Sequence, residues 1–176
     1  MNPVSERYAE AFFSLALDEG KVALLREQVE SLLGVFDRQT IKFLDTRSIS
    51  KQEKKDVLSE VFKDADKDLK NLVCLLVDTG RSHYVNEILE GFVELSNEEL
   101  GIQEVTVYSA RKLTESELEQ IRKAVEAKIK KTVEIENRID ETLLAGTRIY
   151  INDRVYDSSL KAKVSHLKEE LLKESW

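Results

Sequence analysis

Up to about residue 102 the apolar positions recur every three or four residues, the spacing that lines one face of a helix. Val22, Leu25, Val29, Leu32, Leu33 and Phe36 make one such stripe; Val85, Ile88, Leu89, Phe92 and Leu100 make another. The spacing predicts six helices and no strand in this stretch. Helix one runs from about Val4 to Glu19 and stops at Gly20; helix two runs from Val22 to about Asp37; a short third lies near Ile41 to Leu44. Ser50 with Glu53 three residues on is a capping box, which starts a fourth helix carrying Val57, Leu58, Val61 and Phe62 on its apolar side. Helix five covers about Asp66 to Thr79 and ends at Gly80, which can take the left-handed conformation; helix six covers Ser82 to about Leu100 and ends at Gly101.

Beyond residue 102 the repeat falls to two. Val105 and Val107 alternate with Glu104, Thr106 and Tyr108, while Val133, Ile135 and Ile139 alternate with Glu134, Glu136 and Arg138, as in strands with one wet face. Between them, Thr114 and Glu117 form a second capping box for a helix from Glu115 to about Lys130, with Leu113 and Leu118 spaced as a hydrophobic staple. Asn152-Asp153 then joins strands Arg148–Ile151 and Arg154–Tyr156 in a two-residue turn. Asp157 is expected to cap a last helix whose stripe is Leu160, Val164, Leu167 and Leu171. The expectation is an α+β protein: an N-terminal six-helix bundle over residues 1–104, then a small α/β domain over residues 105–176.

Composition narrows the class of function. With 176 residues, 41% hydrophobic and 35% charged, the chain has the make-up of a folded, water-soluble protein. No apolar run is long enough to span a bilayer, and the start lacks a secretory signal pattern. The one cysteine, Cys74, can form neither an internal disulfide nor a zinc site and reads as a core residue of a protein kept in a reducing compartment. The net charge is −7, with −8 over residues 1–104 and +1 over residues 105–176, and neither part has the basic stripe with interleaved aromatics that nucleic-acid binding requires. Lys128, Lys130 and Lys131 instead complement the carbonyl end of a helix.

Catalytic chemistry has no foothold in this pattern. His83 and His166 fall in different predicted domains, no phosphate loop or dinucleotide fingerprint occurs among the six glycines, and acidic pairs such as Glu98-Glu99 and Glu169-Glu170 read as solvated helix faces. No cofactor or metal is expected. Gly80-Arg81 reads as an arginine at a tight helix-to-helix turn.

Two helices carry more apolar surface than one core requires. A helix against a single core needs an apolar stripe somewhat over about 100° wide, yet Tyr8, Ala9, Ala11, Phe12, Phe13, Leu15, Ala16 and Leu17 sweep roughly 240° of helix one. Helix five behaves alike, with Leu69, Leu72, Val73, Cys74, Leu75, Leu76 and Val77 leaving a polar edge only near Asn71 and Asp78. Either both helices are central in the bundle, or they also line an exterior groove that accepts a partner helix.

Several motifs in a fixed order carry a resemblance. They are Tyr8-Ala-x-Ala-Phe12, Leu75-x-x-x-x-Gly80-Arg81, Asn97-x-x-x-Gly101-Ile102, Val105-x-Val107-x-Ser109-Ala110-x-x-Leu113-Thr114, and the segment from Ile139 to Leu172 with Asp140, Gly146 and Asp157 at its turns. In that order the chain resembles the δ-subunit family of F-type ATP synthases, which includes the mitochondrial oligomycin-sensitivity-conferring protein. The resemblance implies a non-catalytic stator component. Its helical domain would receive the N-terminal helix of an α subunit on helices one and five, at Tyr8, Ala9, Phe12, Ala16, Leu72, Leu75 and Leu76. Its second domain would meet the peripheral-stalk b subunits, with Asp140, Gly146, Asp157, Leu160 and Leu167 in the C-terminal signature as turns, cap and packing. The implied place is the cytoplasmic face of the cell membrane, bound peripherally and without insertion. Ala145 stands where many relatives carry a glycine, and Arg111-Lys112 precedes Leu113-Thr114 where a small residue or proline is more usual. The alternative is a free-standing helical adaptor that uses the same apolar arcs for another partner's amphipathic helix.

Overall fold

The computed structural model describes residues 2–46, 48–143, 146–152 and 154–157. The chain divides into two compact units, Met1–Leu100 and Gly101–Trp176. The division falls earlier than the change expected after residue 104, because the first strand already begins at Ile102. Together the described residues form a mixed α and β protein with seven α-helices and one four-stranded sheet.

The first unit holds α1 (Pro3–Asp18), α2 (Val22–Leu33), α3 (Arg38–Asp45), α4 (Lys51–Val61), α5 (Lys67–Thr79) and α6 (Val85–Leu100), with a 3₁₀ turn at Ser82–Tyr84 before α6. Local chemistry sets most of the boundaries. Asn2 caps α1, its side chain accepting from the Val4 N–H, and Pro3 occupies the first turn, where its missing N–H costs nothing. Ser50 and Glu53 form the reciprocal capping box at α4. Gly80 ends α5 with φ of 66°, a left-handed conformation that side chains rarely adopt.

Helix α2 ends sooner than its apolar periodicity suggests. Asp37 is not its last residue but the cap of α3, accepting from the Thr40 N–H at 2.7 Å. Phe36 keeps the apolar spacing because the turn itself carries it into the core, where its ring lies 5.7 Å from that of Phe62.

The core of this unit is continuous. Phe12, Leu25, Val29, Phe62, Leu69, Leu76, Ile88, Leu89 and Phe92 are all buried in it, and the rings of Phe12 and Phe92 lie 4.6 Å apart. Helix α6 is its centre: α1 and α2 both pack on it, and it buries Val85, Ile88, Leu89, Phe92 and Val93. A buried polar tie joins two of these helices, with Arg26 of α2 donating to the Asn97 side chain of α6 and pairing with Glu30 at 2.8 Å.

The second unit is a sheet of β1 (Ile102–Ser109), β2 (Thr132–Ile139), β3 (Thr147–Ile151) and β4 (Arg154–Asp157), in the order β2-β1-β3-β4, with α7 (Glu115–Ile129) crossing between β1 and β2. β1 and β2 are parallel, as a helical crossover demands, whereas β1–β3 and β3–β4 are antiparallel. Thr114 and Glu117 form the expected capping box of α7. The small core gathers Val105, Val107, Val125, Val133 and Ile151.

One expected core position is corrected. Ile139 continues the alternation of β2 but is 58% exposed. Asn137, two residues before it, takes over this end of the sheet: it donates to the Val107 carbonyl at 2.9 Å and to Ser109 at 2.8 Å, and accepts from the Leu113 N–H. The expected last helix, with Leu160, Val164, Leu167 and Leu171, lies outside the described residues, as do Ala145 and Asp153.

Candidate partner-docking surface

The wide apolar arc of α1 resolves into two rows. Residues three or four apart on a helix share a face, so Ser5, Ala9, Phe12 and Ala16 form one row and Val4, Tyr8, Ala11 and Leu15 the next. The first row is buried in the unit's own core: Ala9 and Ala16 are at 0% exposure and Phe12 at 4%. The second faces outward, with Leu15 at 40% exposure, Ala11 exposed, and Val4 and Tyr8 half-buried.

Helix α5 splits in the same way. Leu72 and Leu76 are buried with Leu69, Val73 and Val77, while Leu75 stands 47% exposed and Cys74 is half-buried. The expectation that Ala9, Phe12, Ala16, Leu72 and Leu76 line an exterior groove is therefore corrected. These residues hold α1 and α5 in place, and of the seven expected contacts only Tyr8 and Leu75 present substantial surface.

Arg81, just past the glycine that ends α5, ties that turn to the outward row of α1. Its guanidinium donates to the Tyr8 hydroxyl at 2.6 Å and lies 5.5 Å from the centre of the Tyr8 ring, combining a hydrogen bond with a cation–π contact. A cavity of about 340 Å³ opens there, lined by Val4, Arg7, Tyr8, Ala11 and Arg81. Periodicity alone could not reveal Ala11, Leu15 and Arg81 as surface residues, since a helical wheel sums both rows and Arg81 meets Tyr8 only through the tertiary fold.

Polar anchors set the start of α1. Ser5 donates to the Glu87 carboxylate at 2.7 Å and the Asn2 N–H donates to the same group. These bonds, Ser5 first, hold the Glu87 carboxyl below its ordinary range. At the other end Lys21 pairs with Glu19, Asp66 and Asp68, joining the α1–α2 turn to the start of α5 and pushing the lysine up from its usual value.

In the second unit Asp140 makes the turn expected of it. Its carboxylate accepts from the Thr142 hydroxyl at 2.6 Å and from the Thr142 N–H at 2.9 Å, and those bonds lower its pKa. Gly146 has φ of 90°, the left-handed side of backbone space where a side chain is strained. Asp157 ends β4 and accepts from Arg148 Nε at 3.1 Å across the hairpin; any cap it makes onward, like Leu160 and Leu167, falls outside the described residues. Among the described residues no group of three or more His, Cys, Asp or Glu is placed to hold a metal ion, and no helix is long and apolar enough to cross a membrane.

A family model for the ATP synthase delta (OSCP) subunit matches residues 4–171. The chain belongs to the ATP synthase delta (OSCP) family. Among similar proteins, the ATP synthase subunit delta of Bacillus mycoides (strain KBAB4) is 34% identical over 173 residues, covering 97% of this chain and 96% of that one. The subunit delta of Bacillus cereus (strain AH820) is 32% identical over the same span. A chain of the Toxoplasma gondii mitochondrial ATP synthase hexamer, solved by cryo-electron microscopy, shares the fold with a TM-score of 0.70 at 17% identity, covering 97% of this chain and 98% of that one. Members of the delta (OSCP) family are non-catalytic subunits of ATP synthase.

Proposed function

We propose that this chain is the joint between the catalytic head of ATP synthase and its peripheral stalk. The helical unit, read as a bundle around α6, receives the amphipathic N-terminal helix of an α subunit, and the second unit meets the b subunits. As proton flow turns the central rotor, the joint holds the head against the reaction torque. The chain is thereby held peripherally at the cytoplasmic face of the cell membrane, without inserting in it.

The observation that carries this reading is the outward row Tyr8, Ala11 and Leu15, which stays apolar although the inward row already satisfies the core. A helix with a second apolar row is suited to the helix-in-groove mode of recognition. Small Ala11 allows close approach, Leu15 and Leu75 supply apolar anchors, and the Arg81–Tyr8 pair gives a polar edge. Ala9, Phe12, Ala16, Leu72 and Leu76 act one layer beneath, positioning the helices that carry the contacts. Membership of the family favours this joint over a free-standing adaptor.

The test is capture with the full chain from a detergent extract of membranes, followed by identification of the retained subunits. Both α and b are expected. Retention of neither, under conditions that keep the rest of the synthase assembled, would contradict the reading.

A further inference from the structure

Two arginines, Arg7 and Arg81, line the hollow of about 340 Å³ on the outward side of α1, and among the described residues no acid lines it with them: the rest of the wall is Val4, Tyr8 and Ala11. Residues 1–104 carry a net charge of −8, and other cations of this unit, Lys21, Arg26 and Lys55, each pair with an acid inside it. Arg81 is oriented without being neutralised. Its guanidinium donates to the Tyr8 hydroxyl at 2.6 Å and lies 5.5 Å from the ring centre, so both contacts are to a phenol rather than to a carboxylate. Asp78, in the last turn of α5, is taken by Lys55 at 2.6 Å. Arg7 is exposed and makes no ion pair among the described residues.

We propose that this hollow takes a carboxylate carried by the helix that docks on α1, and that the two arginines thereby fix the register and direction of that helix. The inference rests on the docking reading above and adds to it the chemistry of one position. A guanidinium presents its N–H donors in a planar fork that matches the two oxygens of a carboxylate. Tyr8 takes one donor nitrogen of Arg81, Nη1, and the fork retains donors for an acceptor opposite. Because Arg81 already lies against the ring, less side-chain freedom is lost when the carboxylate arrives. Position then sets register. Tyr8 and Leu15 are seven residues apart on α1, about 10 Å at about 1.5 Å per residue. A helix lying along the outward row therefore carries its acid about two turns from the apolar side chain that meets Leu15, and only one direction satisfies both ends. Apolar contacts alone would not choose between the two directions.

The experiment is calorimetric titration of the full chain, at low and at high salt, with a peptide copied from the amphipathic N-terminus of an α subunit and with versions in which each acid of the peptide is replaced in turn by its amide. One acid at the stated spacing should matter, its amide weakening binding about fivefold or more. Arg81→Gln should weaken the unaltered peptide about fivefold and Arg7→Gln about twofold, and both should flatten the salt dependence. Against the amide version, Arg81→Gln should cost less than about twofold, because the charge it faced is already gone. Arg7→Gln removes no contact within the unit and should leave the melt unchanged, so it keeps the test available if Arg81→Gln loosens the turn at Tyr8. An unaltered chain that binds no peptide would overturn the docking reading and the carboxylate with it. A peptide weakened by Leu15→Asp that binds Arg7→Gln and Arg81→Gln as tightly as the parent, with the same salt dependence, would overturn the carboxylate alone.

Discussion

The two units reach their folds by different means. In the first, a continuous core gathers bulky residues, with Phe12, Phe36, Phe62 and Phe92 among them, and position follows from packing. In the second, a small core of four valines and Ile151 lies beside the sheet, and polar ties do more of the positioning: Asn137 across three partners, Asp140 in its turn, and Glu117 between Thr114 and Arg111. Damage should follow the same division. Large apolar losses should dominate in the helical unit, and single polar deletions should be felt in the sheet unit.

The largest expected effect breaks the inner row of α1. Ala9→Asp would bury an uncompensated carboxylate where there is no space, costing about 3–5 kcal/mol for the charge before any overpacking is counted. Phe92→Ala, which removes the ring facing Phe12, should cost about 3–5 kcal/mol. Denaturant titration of each variant measures these losses. An Ala9→Asp protein as stable as the parent would mean that α1 does not bury this row.

In the sheet unit the expected losses are smaller and of another kind. Asn137→Ala leaves the Leu113 N–H and the Val107 carbonyl without their side-chain partner and should cost about 1–3 kcal/mol. Amide exchange at Leu113 should accelerate along with it. A neutral effect on both would show that packing, not this amide, holds the start of α7.

The smallest effect is one of pH. The Arg111 side chain, then the Thr114 N–H and hydroxyl, hold the Glu117 carboxyl down at about 2, against an ordinary value of 4.5. A lowered pKa means that the folded state favours the charged form, so the contribution is complete above the ordinary value and fades as pH falls toward 2. Thermal melts of the parent and of Glu117→Gln should therefore differ at neutral pH and converge in acid. Because the Glu117 side chain stays partly open to solvent, the gap should be small, and a gap that widened in acid would reverse the assignment.

Legibility from sequence divides along similar lines. Features written in local chemistry were readable: the capping boxes at Ser50 and Thr114, the glycine stop at Gly80, the change of period near residue 102, and the turn at Asp140. Features set by which neighbour a face meets were not. Phe36 kept helical spacing while lying in a turn, Ile139 kept strand spacing while facing water, and Arg26 hid in a core through a pairing 71 residues away. The residues proposed for docking suffered most from this. On α1 the inward and outward rows are both apolar, so only the position of α6 distinguishes Ala9 from Ala11.

That distinction is open to direct measurement. Calorimetric titration of the full chain with a peptide copied from the amphipathic N-terminus of an α subunit should give saturable binding. Leu15→Asp, on the outward row, should leave the melt nearly unchanged, within about 0.5 kcal/mol. It should weaken the peptide by about thirtyfold or more, or about 2 kcal/mol, since a carboxylate would be desolvated without a counter-charge. Unchanged affinity in a folded Leu15→Asp protein would contradict the assignment of the outward row of α1 as the surface that holds the catalytic head.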